Sequence, residues 1–304
     1  MTLSHDILKQ AAREVGFDLC GIARCRPFDE ERTFFEGWLA EGNASTLDYL
    51  KRNIDKRADA SKLVEGAQSV VVCGVAYRNE ISNGYSPQHT TKIASYACTT
   101  DYHLTIKAML RRMIERLTEL YPTLHGRIFT DTAPIFEKRY AVEAGLGWIG
   151  RQSLLVTPEH GTFVLLGEIV LCDKCDIYDT PLTGYGCGEC RRCVEACPNH
   201  AIAERHIDTR RCISRATIER SSEEALPLHG WVFGCDDCQS CCPYNKRADG
   251  YTNPQFTPRF DPRTMDAEWW SNIDNSEFTA LFGTTPIARS SLERIRRNIE
   301  QNTK

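Results

Sequence analysis

Two groups of cysteines lie in the second half of the chain, and their spacing suits metal chemistry. The first is Cys187-x-x-Cys190-x-x-Cys193-x-x-x-Cys197-Pro198. Two-residue gaps let successive thiols of a tight loop turn toward one point, as a 4Fe–4S cubane requires. The fourth cysteine of such a run serves a neighbouring cluster, and the proline turns the chain away. Zinc is the rival, but its sites use four ligands, typically in paired C-x-x-C units. The second group is Cys235-Asp-Asp-Cys238-Gln-Ser-Cys241-Cys242-Pro243. Read back from its proline, it offers Cys242, Cys238 and Cys235 as fourth, third and second positions. Cys212 alone lies between the groups and supplies the first. Crossing the fourth ligands puts Cys187, Cys190, Cys193 and Cys242 around one cluster, and Cys197, Cys212, Cys235 and Cys238 around the other. Cys241 competes with Cys242 for its place. Two clusters linked this way read as an electron relay rather than a staple for the fold, and a relay implies something at its end. Cys172-x-x-Cys175 has metal-pair spacing, but both clusters are complete without it, so it reads as non-ligating.

The whole chain frames that chemistry. It has 304 residues, 15 of them cysteine, with 41% hydrophobic and 26% charged residues and a net charge of −4. An odd cysteine count argues against a disulfide framework. The start, MTLSHDILKQAAREVGF, shows neither a secretory nor a twin-arginine pattern. No apolar run approaches the ~20 residues of a membrane helix. The expectation is a cytoplasmic protein with no membrane partner, read as a monomer. The net charge gives no global attraction to nucleic acid, so any such face must be a local patch.

The elements that position the cysteines follow from periodicity. Residues 1–171 read as an α/β domain, 172–250 as a two-cluster domain that needs its metal to fold, and 251–304 as a helical tail. Ile7, Leu8, Ala11, Ala12 and Val15 share one face of a helix after Ser4. Helical stretches are expected at Phe34–Ala40 and Thr46–Arg52. Ser69 to Ala76 is a continuous β-branched run, suited to a strand covered on both faces. Asp101 to Leu120 reads as an amphipathic helix capped by Thr100 or Asp101, with Leu104, Ala108, Ile114 and Leu117 inward. A strand at Arg127–Thr130 ends at Asp131, a helix begins near Pro134, and Thr162–Leu171 is a further strand. The alternation predicts a mixed sheet flanked by helices. Gly145-Leu-Gly-Trp-Ile-Gly150 has glycines at which backbone could approach a flat cofactor. No G-x-G-x-x-G or Walker loop is present.

Several blocks together resemble the epoxyqueuosine reductases. They are Asp131-Thr-Ala-Pro-Ile-Phe-Glu-Lys-Arg139, Ala144-Gly-Leu-Gly-Trp-Ile-Gly-Arg151, Leu165-Leu-Gly-Glu-Ile169, the CGECRRCVEACP run, Arg211-Cys-Ile-Ser214 and Phe233-Gly-Cys-Asp-Asp-Cys-Gln239. Asp101-Tyr-His103 matches another block, and the tail matches loosely. The likeness covers nearly the whole chain; longer members append a helical-repeat domain.

The resemblance implies a nitroreductase-like, reductive-dehalogenase-like cobalamin-binding α/β domain followed by a ferredoxin-like domain with two 4Fe–4S clusters. It implies reduction of the epoxide of epoxyqueuosine, at the wobble position of tRNA, to the alkene of queuosine, the last step of that base's synthesis. Cob(I)alamin would do the reduction, by nucleophilic attack or a radical route, recharged through the clusters from a low-potential donor such as flavodoxin or ferredoxin. Asp131 matches the family's proton donor, and a carboxyl held against a flat corrin would tend to stay protonated; by local sequence alone it reads equally as a helix cap. Arg57, Ala97, Cys98, Arg139, Arg151, Gln152, Ser153, Ser214 and Gln239 are the candidates for lining the cofactor. Histidine ligation of cobalt is not expected, and His103 reads as capping or packing against its helix. Arg215, Lys246, Arg296 and Arg297, with neighbouring arginines, are the expected phosphate contacts to an anticodon stem-loop. The rivals are a cobalamin-dependent reductive dehalogenase and a plain electron carrier without its own substrate.

Overall fold

The computed structural model describes residues 1–203, 206–219, 226–247 and 252–303. Its centre is a four-stranded sheet built from Leu19–Arg24 (β1), Ser69–Ala76 (β2), Gly126–Phe129 (β3) and Val164–Leu171 (β4), in the order β1-β2-β4-β3. Every pairing in it is antiparallel. This corrects the mixed sheet expected from alternating helices and strands. Among the described residues, parallel pairing occurs only in two small ladders, Thr2–Leu3 with Lys174–Cys175 and Lys92–Ile93 with Trp231–Phe233.

β2 is buried at all eight positions, as its β-branched run requires. Alternate residues feed two cores. On one face Val71, Cys73 and Val75 meet the helices His5–Glu14 (α1) and Tyr102–Leu120 (α2). On the other, Val70 and Val72 meet Tyr140, Ala141 and Ala144 at the helix Glu137–Glu143 (α3) and its end. The sheet is therefore sandwiched between helical layers.

Burial sets the register of α2. Its inward face is Ile106, Met109, Leu110, Met113 and Leu117, whereas Leu104 is 64% exposed and Ala108 also faces out. The expected stripe was off by part of a turn. Asp101 is the cap, accepting from the His103 backbone N–H at 2.9 Å. Residues 46–52 form only a short 3₁₀ turn, Asp48–Lys51.

The expected domain boundaries do not match the packing. Cys175 is buried in the α1–α2 core, and the Asp179 carboxylate accepts from the Ile22 backbone N–H at 2.8 Å, so the chain stays with the first domain well past 171. Phe256 returns to that same core. The boundary at 250 lies outside the described residues. The tail is no separate unit either. Its last helix, Leu292–Asn302 (α4), packs with Ile93, Ala97, Cys98 and Phe233 in one cluster. Among the described residues no helix is long and apolar enough to cross a membrane.

Candidate active site and cluster ligands

Asp131 leaves the end of β3 with a left-handed backbone, φ +50°. It caps nothing: α3 begins only at Glu137, after Phe136. Its carboxylate instead meets His103, whose Nε2 lies 3.0 Å from Asp131 Oδ2. His103 Nδ1 lies 2.8 Å from Asp101 Oδ1, so the imidazole bridges two carboxylates. The Asp101 and then the Asp131 hydrogen bonds push His103 up to about 9. Burial pushes the Asp131 carboxyl up, but the His103 hydrogen bond and charge outweigh it and bring the group below the usual range. Asp131 is thus held ionised against a protonated His103, contrary to the expectation of a neutral carboxyl. The pair shares one proton. His103 was expected to cap or pack against its helix, and it does meet the cap residue Asp101; its pairing with Asp131 was not expected, because that partner is 28 residues away.

Asp131 forms part of the wall of a cavity of about 440 Å³. The same cavity is lined by Cys197, Cys212, Cys235 and Cys238, the four cysteines expected at one cluster. Its lining also includes apolar Leu154, Leu155, Val164, Leu165 and Leu166 and the amides of Gln152 and Gln239. An apolar wall with a few amides fits a large flat ring bearing polar groups at its edge.

The thiols differ in their surroundings. The Ala201 backbone N–H donates to Cys197 Sγ at 3.2 Å, a bond that stabilises a thiolate and tunes a cluster. The Cys241 thiol donates to the Cys238 carbonyl at 3.5 Å and neighbours Cys193, Cys242 and Cys190. Cys241 and Cys242 thus both lie beside thiols of the first run, and the preference for Cys242 rests on its place before Pro243. Cys193 has Cys187 and Cys242 as its charged neighbours, as the first cluster requires. Cys172 instead points to the Glu65 carbonyl at 3.3 Å, and Cys175 is core. Among the described residues no three His, Cys, Asp or Glu side chains are grouped for a single metal ion.

The remaining candidates divide. Gln152, Ser214 and Gln239 line the cavity. Ala97 and Cys98 are fully buried in the tail core, which removes them as side-chain contacts. Arg139 is committed to ion pairs with Glu31 and Glu143. Arg151 donates to the Cys190 and Gly188 carbonyls, so it clamps the first cluster loop rather than reaching the cavity. The Ser153 carbonyl accepts from Lys138, which does line the cavity. Arg57 lies over the Phe35 ring and behind Asp131 and Glu137. The glycines of 145–150 face their own chain: a Cβ at Gly147 would meet the Val156 carbonyl, and one at Gly150 the Gln152 side chain. They serve packing, not a cofactor.

Two of the four expected phosphate contacts are corrected. Arg215 is 5% exposed and donates to the Thr209 and Arg210 carbonyls. Arg296 donates to the carbonyls of Trp270, Ser271 and Ile273, closing the end of the helix Ala267–Asn272. Each guanidinium donates to backbone carbonyls of its own fold. Lys246 and Arg297 are exposed. Arg296→Ala is therefore expected to cost about 2 kcal/mol of stability while leaving tRNA affinity unchanged. Arg297→Ala should weaken binding and flatten its salt dependence. Chemical denaturation and a salt series of tRNA binding measure the two.

Comparison with known proteins places this site. The chain is 39% identical over 300 residues to the epoxyqueuosine reductase of Cyclobacterium marinum, covering 96% of this chain and 94% of that one. It belongs to the epoxyqueuosine reductase family. The family model described as epoxyqueuosine reductase QueG, DUF1730, matches residues 57–132, which end just past Asp131. A 4Fe–4S double cluster binding domain matches residues 186–245, the span of seven of the eight expected ligands and of Cys212. Among solved structures, epoxyqueuosine reductase from Streptococcus thermophilus superposes with a TM-score of 0.84 at 25% identity, covering 97% of this chain and 79% of that one. An epoxyqueuosine reductase structure with an epoxyqueuosine-modified tRNA-Tyr stem loop superposes with a TM-score of 0.84 at 24% identity, covering 98% and 80%.

Proposed function

We propose that this chain reduces the epoxide of epoxyqueuosine in tRNA to the alkene of queuosine, in the cytoplasm, with cobalamin in the cavity and two 4Fe–4S clusters beside it. The observation that carries the reading is one cavity lined both by Asp131, which pairs with His103, and by Cys197, Cys212, Cys235 and Cys238. The pair holds a proton, and the cysteines would support an electron relay.

The chemistry divides between the bound groups and the chain. Cobalamin, when bound, supplies a low-potential cobalt centre for reducing carbon. The protein's share is orientation, exclusion of water and a proton. Gln152, Gln239 and Ser214 are placed to hold the polar edge of the corrin. Cys197, Cys212, Cys235 and Cys238 would hold the near cluster, and Cys187, Cys190, Cys193 and Cys242 the far one. Asp131 and His103 hold a proton for the epoxide oxygen, which is a poor leaving group until protonated. Lys246 and Arg297 remain available for phosphates. The electron donor is a low-potential carrier such as flavodoxin or ferredoxin, and the enzyme acts as a monomer.

The direct test combines purified protein, cobalamin, a low-potential reductant and tRNA carrying epoxyqueuosine. Queuosine should appear only when all four are present. Turnover that ignores cobalamin, or no queuosine from cluster-replete protein, rejects the reading.

A further inference from the structure

Reducing an epoxide to an alkene breaks two C–O bonds, consumes two electrons and two protons, and releases one water. The Asp131–His103 pair shares one proton. A second is needed for the oxygen to leave as water, and a second acid stands in the same cavity. Glu137 opens α3 and lines the cavity with Asp131. The Asp131 backbone N–H lies toward the Glu137 carboxyl and favours its charged form, while Asp131 itself has the left-handed φ of +50°. We propose that Glu137 holds, as a neutral carboxylic acid, the second proton consumed when the epoxide oxygen leaves as water. The inference rests on the epoxide-reduction reading above.

The surroundings of Glu137 explain why it keeps its proton. It faces Asp131 from the turn after β3, Tyr102 from α2, Arg57 from the helix Ile54–Ala58, Lys138 from α3 and Glu168 from β4. Neither cation forms an ion pair with it among the described residues. Lys138 Nζ donates to the Ser153 carbonyl at 2.8 Å, and Arg57 sits over Phe35. Behind it, Glu168 is fully buried, and neither of its carboxyl oxygens has a hydrogen-bond partner among the described residues. Three carboxyls thus lie near one another, and the cations that favour the charged form of Asp131 are His103 and Arg289. Like charges so close disfavour one another's ionisation. Asp131 takes the charge because it has His103; Glu137 and Glu168 are biased toward the neutral form. Burial first, then the Asp131 charge, push Glu137 up to about 7. Glu168 is pushed higher still by burial. Of the two neutral acids, only Glu137 reaches the cavity.

Glu137→Gln separates proton from position, because the amide keeps the shape of the carboxyl but has no acid proton to give. In the wild-type holoenzyme without substrate, infrared spectra should show a neutral carboxylic acid that titrates near pH 7, and Glu137→Gln should lack it. Turnover of the wild type should fall as pH rises through about 7. The Gln variant should be about 100-fold slower at pH 6 and lose that fall. Glu137→Asp, which keeps an acid, should restore the pH dependence with an intermediate rate. A Gln variant with the wild-type rate and profile, or a wild type with no titrating acid that Glu137→Gln removes, overturns the proposal. The infrared arm needs no turnover, so its failure is distinct from failure of the epoxide reading.

Discussion

Replacing Cys212 with alanine should halve the iron content and abolish turnover. Cys212 stands far from either cysteine run, and only the fold brings it to the cavity wall beside Cys197, Cys235 and Cys238. The site is built to hold a thiolate there. The residue stands at the N-cap of the helix Ile213–Ile218, the Ser214 and Arg215 backbone N–H groups lie toward its sulfur and favour the charged form, and the buried Arg215 locks the preceding turn by its carbonyls. A cluster that loses one of four thiolates is lost or degraded. The relay to the cavity then ends. Because the free energy of metal binding is largely folding free energy in such a domain, stability should fall by at least about 4 kcal/mol. Cys241→Ala is the control: it should keep full iron and activity, since Cys242, next to Pro243, takes the fourth place of its run. Iron analysis and the visible absorbance of anaerobic protein read both. Full iron in Cys212→Ala, or half in Cys241→Ala, would reassign the ligands.

What the sequence revealed, and what it concealed, follows the range of each interaction. The two-cluster domain was legible because cysteine runs that bind such clusters have a characteristic loop spacing, a local property. The strand Ser69–Ala76 was legible because complete burial leaves a continuous apolar run. The strand directions were not, since the same run serves a parallel or an antiparallel neighbour. In α2 the helix was plain but its face was displaced, because Met109 and Met113 carry the core contact while Leu104 lies exposed. Arg215 and Arg296 read as surface charge; only the fold shows that their long side chains reach the open carbonyls of nearby turns. Ala97 and Cys98 lie in a core completed by the tail, some two hundred residues later. Glu168 sits in a legible block, yet nothing local tells that it is buried without a partner.

Asp131→Asn should slow turnover by about 1,000-fold, and a titration of His103 should say why. The asparagine fits the same turn and keeps an oxygen near the imidazole, so a purely structural role for Asp131 predicts little loss. A proton-sharing role predicts a large one. In the wild type His103 titrates near 9 because Asp101 and Asp131 both stabilise its charged form. Removing one carboxylate should bring that value down toward 6.5, the ordinary range of histidine. Stability follows the same linkage. A histidine raised above its unfolded value adds stability that is fully present below about 6.5 and is lost as pH rises through about 9. With Asp131 about half exposed, the pair contributes about 2 kcal/mol after solvent screening. Wild type should therefore lose stability between pH 6 and pH 10, and Asp131→Asn should lose less of it. Denaturation at both pH values and the imidazole resonances of His103 give the measurement. A variant that loses activity while His103 keeps its high value would mean that Asp101 alone charges the imidazole, and the shared proton would then belong to the Asp101–His103 contact at the helix cap.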